Sequence, residues 1–89
     1  MKQIWKYSLP VQDEFVIEMM VGAKILCVQS QQGVGQIWAV VTEHTGEEIR
    51  TFKTIGTGHD IEDAELAMME YIGTYQSGQY AWHIFEKTK

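Results

Sequence analysis

The sequence predicts an α+β domain that is mainly antiparallel β, with about six to seven short strands in a sandwich or half-barrel and one short helix near residues 61–71. Apolar runs with β-type alternation recur along the chain, each broken by Gly, Pro or a polar turn. The stretch from Lys24 to Thr42, KILCVQSQQGVGQIWAVVT, joins two apolar runs through a loop containing Gly33 and Gly35, which is the pattern of a central β-hairpin. Only from Ile61 to Tyr71 do apolar residues recur at the three-to-four spacing of an amphipathic helix.

The strands follow in order. Trp5, Tyr7 and Leu9 share one face of the first, opposite Lys6 and Ser8, and Pro10 ends it because proline cannot donate to a ladder. Phe15, Ile17 and Met19 line one side of the second, which turns at Gly22. In the hairpin both faces are apolar, Ile25 and Cys27 against Leu26 and Val28, then Ile37, Ala39 and Val41 against Trp38 and Val40. Such strands are expected to be covered twice, by a sheet, a helix or another subunit. Val28, Trp38 and Val40 are therefore candidates for an assembly surface. A fifth strand, Ile49 to Ile55, is expected to be less buried than the hairpin. Asp60 follows the glycines of GTGHD as a helix N-cap, and about ten residues of helix are expected from Ile61. The closing hairpin runs through YIGTYQ, turns at Ser77-Gly78, and returns through QYAWHIFE.

Size and charge bound the function. Eighty-nine residues with 45% hydrophobic side chains make a single domain, residues 1–89, with a real but small core. The single cysteine, Cys27, cannot form an intramolecular disulfide and is expected to pack in the core. No apolar stretch approaches the roughly 18–20 residues that span a bilayer, so no membrane partner is expected. Seven basic residues against twelve acidic ones give a formal charge of −5, and the basic ones are scattered in sequence. Binding to polymeric nucleic acid needs a concentrated positive face and is not expected. The acids from Asp60 to Glu70 suggest either a DNA-like surface or, preferably, a solvated helix face.

No motif for catalysis stands out. His44, His59 and His83 lack metal-ligand spacing, and no cofactor, metal or catalytic residue is assigned. His59 beside Asp60 has no identifiable nucleophile partner. The best ligand surface is Gly56, Thr57 and Gly58 with His59 and Asp60, because a glycine loop before a helix exposes backbone N–H groups. A structural turn is the plainer reading of the same loop. Tyr75, Trp82 and His83 complete the candidate surface, since aromatic rings can stack on a base or anchor a protein, although a domain this small needs most of its rings for the core.

The segments IWKYSLPVQDEFVIEM, GAKILCVQSQQGVGQIWAVV, IGTGHDI, YIGTYQ and WHIFE resemble a family of small tailed-phage and prophage proteins classed as a domain of unknown function. The resemblance spans nearly the whole chain and brings no catalytic residues with it. Met20 stands where such proteins commonly have proline, and Ile61 to Tyr71 looks more helical than their connector. The resemblance implies a protein in the cytoplasm of the infected bacterial host. The expected function is that of a non-enzymatic counter-defence factor or host-directed inhibitor, which blocks a host protein or sequesters a small signalling nucleotide, acting as a homo-oligomer. The alternatives are a structural or accessory virion protein and, third, a small-molecule enzyme dependent on His59 or His83.

Overall fold

The computed structural model describes residues 1–88. Seven strands and one helical turn follow in the order β1 (Lys2–Ser8), β2 (Glu14–Met20), β3 (Lys24–Gln31), β4 (Val34–Thr42), β5 (Glu47–Gly56), α1 (Asp63–Leu66), β6 (Met69–Ser77) and β7 (Tyr80–Lys87). They form two antiparallel sheets, a three-stranded one in the order β1-β4-β3 and a four-stranded one in the order β2-β5-β7-β6. This is the sandwich of the expected fold class.

Alternation explains which faces meet. Val28, Ile37, Ala39 and Val41 from the first sheet join Phe15, Met19, Phe52, Tyr75 and Ile84 from the second in one core, with Trp5 and Tyr7 packed at its margin. Phe15 stacks on Phe52 at a centroid distance of 5.6 Å. Phe52, Met19, Ile37 and Ile84 are fully buried, each contributing roughly 1.5–3 kcal/mol of transfer free energy. At the rim, Arg50 donates two hydrogen bonds to Glu86, at 2.6 and 2.7 Å, and a third to the Ala23 carbonyl at 2.6 Å. Its pKa is raised, first by the hydrogen bond to Glu86, so the clamp between β5, β7 and the β2–β3 turn stays charged.

The central hairpin forms as expected, but its glycines divide the work. Gln32 and Gly33 make the two-residue turn, both at positive φ (53° and 80°), as the tight primed turns require. Gly35 is not in the turn. It lies buried in β4 beneath the Tyr75 ring, where an added Cβ would stand 2.6 Å from the ring carbon Cζ. Gly73 plays the same part on β6 against the Val28 side chain, where an added Cβ would stand 2.9 Å from the Val28 Cβ.

Several expectations need correction. Val28 is only 6% exposed and belongs to the chain's own core, so it is no part of an assembly surface. Within the chain the hairpin is covered on one face, and Cys27 is half-buried opposite Trp38 instead of lying in the core. β5 is more buried than β3, because it runs between β2 and β7 and buries Phe52, Thr54, Ile55 and Gly56.

The helix is four residues long, with Glu62 in place of Asp60 at the N-cap and no side-chain cap. Met69 to Tyr71 instead pair with Lys87 to Phe85. A short isolated helix is marginal in water and this one buries no residue, so the strand ladder takes the segment.

Candidate functional site

β5 ends at Gly56, and the chain turns back over the outer face of the four-stranded sheet. The His59 amide donates to the Gly56 carbonyl at 3.1 Å, with Gly58 at φ +90° in the third position of the turn. The plainer, structural reading of the glycine loop therefore holds for its backbone. The connector is tied down by the ion pair of Lys53 with Glu65 in α1, and that hydrogen bond raises the Lys53 pKa.

Beneath the connector lies a cleft of about 240 Å³, lined by Ile55, Gly56, Thr57, Gly58, His59, Ile61, Tyr71, His83 and Phe85. One wall carries a chain of polar contacts. Tyr71 Oη lies 2.6 Å from Thr74 Oγ1, Thr74 Oγ1 lies 2.9 Å from His83 Nδ1, and His83 Nε2 lies 2.7 Å from Thr57 Oγ1. Three hydroxyls from β6 and the connector are thus joined through one imidazole on β7. Beside this chain the lining is apolar: Ile55 and Phe85 are the cross-strand neighbours of His83 and Tyr71 on the same sheet face, Ile61 comes from the connector, and Tyr71 meets Phe85 edge-on at 5.5 Å.

The chain depends on a β-bulge. Tyr71 pairs with Phe85 and Thr74 with His83, while Ile72 is the extra residue between Tyr71 and Gly73. Three residues apart, Tyr71 and Thr74 would point to opposite faces of a regular strand. The bulge returns both to the outer face, while Ile72 packs on the core.

Of the candidate surface residues, the structure brings Gly56, Thr57, Gly58, His59 and His83 into this one cleft. Asp60 is exposed in the connector and does not line it. Trp82 points the other way on β7 and packs on the core, stacked with Tyr80 at 5.6 Å. Tyr75 is 4% exposed in the core, its hydroxyl buried without a partner among the described residues. Sequence reasoning missed Tyr71, Thr74, Phe85, Ile55 and Ile61. Alternation could have placed Phe85 beside His83, but Tyr71 was assigned to a helix and Thr74 is reached only through the bulge. Among the described residues no three His, Cys, Asp or Glu side chains are placed to hold a metal ion, and no helix is long and apolar enough to cross a membrane.

A family model described as Domain of unknown function (DUF7352) matches residues 1–89. The chain belongs to that family. No curated protein and no solved structure matches it. In this DUF7352 chain the cleft is therefore interpreted from its own chemistry.

Proposed function

We infer that the chain is a non-enzymatic binding protein whose outer cleft takes a small flat ring with a hydrogen-bonding edge, of nucleobase size. The observation that carries this reading is the Tyr71–Thr74–His83–Thr57 chain set beside the apolar side chains Ile55, Ile61 and Phe85 of the cleft. Binding sites of this kind combine an apolar surface with a few fixed polar groups that select orientation. The cleft is smaller than a drug-sized pocket, so one ring system fills it. Asp60, Glu62 and Asp63 stand on the connector and disfavour an anion, so a nucleotide-like ligand enters base-first with its phosphate outside. The phage setting that the sequence resemblance implies makes this a counter-defence factor or host-directed inhibitor in the host cytoplasm, acting by sequestration of such a ligand or by capture of a ring on a host protein.

One observation favours a second reading. Thr57 Oγ1, His83 and Thr74 are arranged like a nucleophile, a base and an orienting group. In Ser-His-Asp triads, the hydroxyl-nucleophile case, the third group is a carboxylate that stabilises the charged imidazolium. Here it is a neutral hydroxyl, which supports binding over catalysis.

Calorimetry with nucleobases and nucleosides, alongside native mass spectrometry of the protein recovered from host lysate, tests the reading. A retained ring compound is expected, with affinity lowered about tenfold or more by His83→Phe or Thr74→Val, since each leaves a ligand or protein polar group unpaired. Lack of any bound compound, or equal affinity in the variants, would sink it. Turnover of an ester or amide lost in Thr57→Ala would establish the enzyme instead.

A further inference from the structure

The two outer faces of the sandwich are chemically opposite. On β1-β4-β3 the register aligns Ile4 with Val40 and Lys24, and Lys6 with Trp38 and Cys27. Ile4 is 62% exposed, and Leu26, at the bulge of β3, is 48% exposed. Trp38 and Val40 are half-buried and stand apart from the hydrophobics packed on the core. Lys2, Lys6 and Lys24 surround this apolar centre, and no acidic residue occurs on any of the three strands. Lys2 donates to Thr42 and Lys6 to Gln31, but among the described residues none of the three lysines pairs with a carboxylate.

On the outer face at the β2 edge, Lys87 and Lys53 are neutralised by Glu14 and Glu65, and further carboxylates surround a similar apolar centre. Val16 and Ile49 are 57% and 60% exposed, on the side of the sheet away from Phe15 and Met19. Glu18 stands opposite Ile49, and Glu47 is its diagonal neighbour. Neither carboxylate pairs with a cation among the described residues. The Glu47 pKa is raised, first by its hydrogen bond to Glu18 and then by repulsion from it, as befits two neighbouring carboxylates with no cation between them.

We propose that the basic apolar face built on Ile4, Trp38 and Val40 docks head to tail on the acidic apolar face built on Val16 and Ile49 of a second copy of this chain. Among the described residues the lysines of one face have no acid beside them and Glu18 and Glu47 of the other have no cation partner, so each supplies what the other lacks, over apolar centres that both gain from leaving water. The molecule extends 41 × 32 × 17 Å, so its broad faces have room for the roughly 800 Å² per partner of a standard interface. Because the two faces lie on opposite sides, every added copy presents a fresh face, and assembly continues into a ring or filament. This inference stands apart from the cleft and does not depend on its ligand.

Sedimentation velocity and light scattering test it. The mean mass should rise with protein concentration at about 0.1 M salt and fall toward the 10.2 kDa monomer at about 1 M, as the Debye length shrinks from about 10 Å to about 3 Å. The double variant Trp38→Ser with Lys24→Gln disables one face, and Val16→Ser with Glu18→Gln the other. Each alone should be monomeric, and their equimolar mixture should stop at a dimer, since one intact face remains on each. Circular dichroism checks the folds, and the single variants Lys24→Gln and Glu18→Gln carry the same test should a double variant misfold. A wild-type monomer at every concentration, a closed dimer indifferent to salt, or a mixture that stays monomeric would overturn the proposal. So would capture of a single-stranded oligonucleotide on the lysine face by a protein that does not self-associate.

Discussion

The two sheets are built from strands of similar length and share one core, yet their outer faces are treated differently. Over β5, β7 and β6 the connector folds back, and Lys53 with Glu65 pins it, so a cleft with fixed polar groups results. Over β1, β4 and β3 no segment among the described residues folds back, and Trp38 and Val40 stay only partly buried. The comparison shows that apolar residues on both faces of a strand specify burial without specifying what buries them. All twelve acids also lie off the bare sheet, so the two halves differ in charge as well as in cover.

Replacing one large aromatic in each sheet sharpens this contrast most. Phe52→Ala should cost about 3–5 kcal/mol in urea denaturation, because the ring is fully buried and its space cannot collapse. Trp38→Ala on the bare face should cost about 1 kcal/mol or less in the monomer. Equal losses would show that Trp38 is a core residue and break the comparison.

Smaller effects are expected where the sheets touch. Gly35→Ala drives a methyl into the buried Tyr75 ring, and Gly73→Ala drives one into Val28, each costing about 1–3 kcal/mol. Gly56→Ala meets the exposed His59 side chain at 2.9 Å, which can turn aside, and the Trp82 ring only at 3.1 Å, so its cost should be lower than at Gly35. A larger loss at Gly56 than at Gly35 would place the tighter packing in the cleft instead of the seam.

The smallest effect has the opposite sign. Tyr75→Phe removes a buried hydroxyl without a partner and should stabilise by about 1 kcal/mol at neutral pH. Burial raises the Tyr75 pKa above its ordinary 10.0. Below that pH both folded and unfolded tyrosine are protonated and nothing is lost. As pH rises past about 10, the unfolded chain ionises while the folded one resists, so stability falls until the raised folded value is passed. The wild-type denaturation midpoint should drop more steeply above pH 10 than that of Tyr75→Phe.

Much of the fold was legible because period-2 alternation is a local signal. Trp5 with Tyr7, Phe15 with Met19, and Ile37 with Val41 all face the core as their spacing predicts. The segment from Ile61 to Tyr71 misled for the converse reason, since its apolar spacing matches a helix while its C-terminal part is claimed by a non-local partner, β7. The lysines of the bare sheet are far apart in sequence, and only the pairing of β1 and β3 on either side of β4 gathers them. At the candidate site, the glycine loop and His83 could be picked out singly. Their meeting was set by strand order, which no local pattern encodes.

The extra residue at Ile72 also changes what kind of mutation the cleft fears. Most sites are lost when a particular side chain is replaced, whereas here the phase of the strand matters as much as its letters. Ironing out the bulge at unchanged length would leave Tyr71, Thr74, His83 and Thr57 all present, yet turn the tyrosine and threonine hydroxyls to opposite sides of β6, whereas deleting Ile72 would set the two residues at a regular two-residue spacing on one face. Among descendants of this chain, Tyr71 and Thr74 can therefore share the cleft either across the bulge or at a spacing shorter by one residue, but not in a regular strand of the present length.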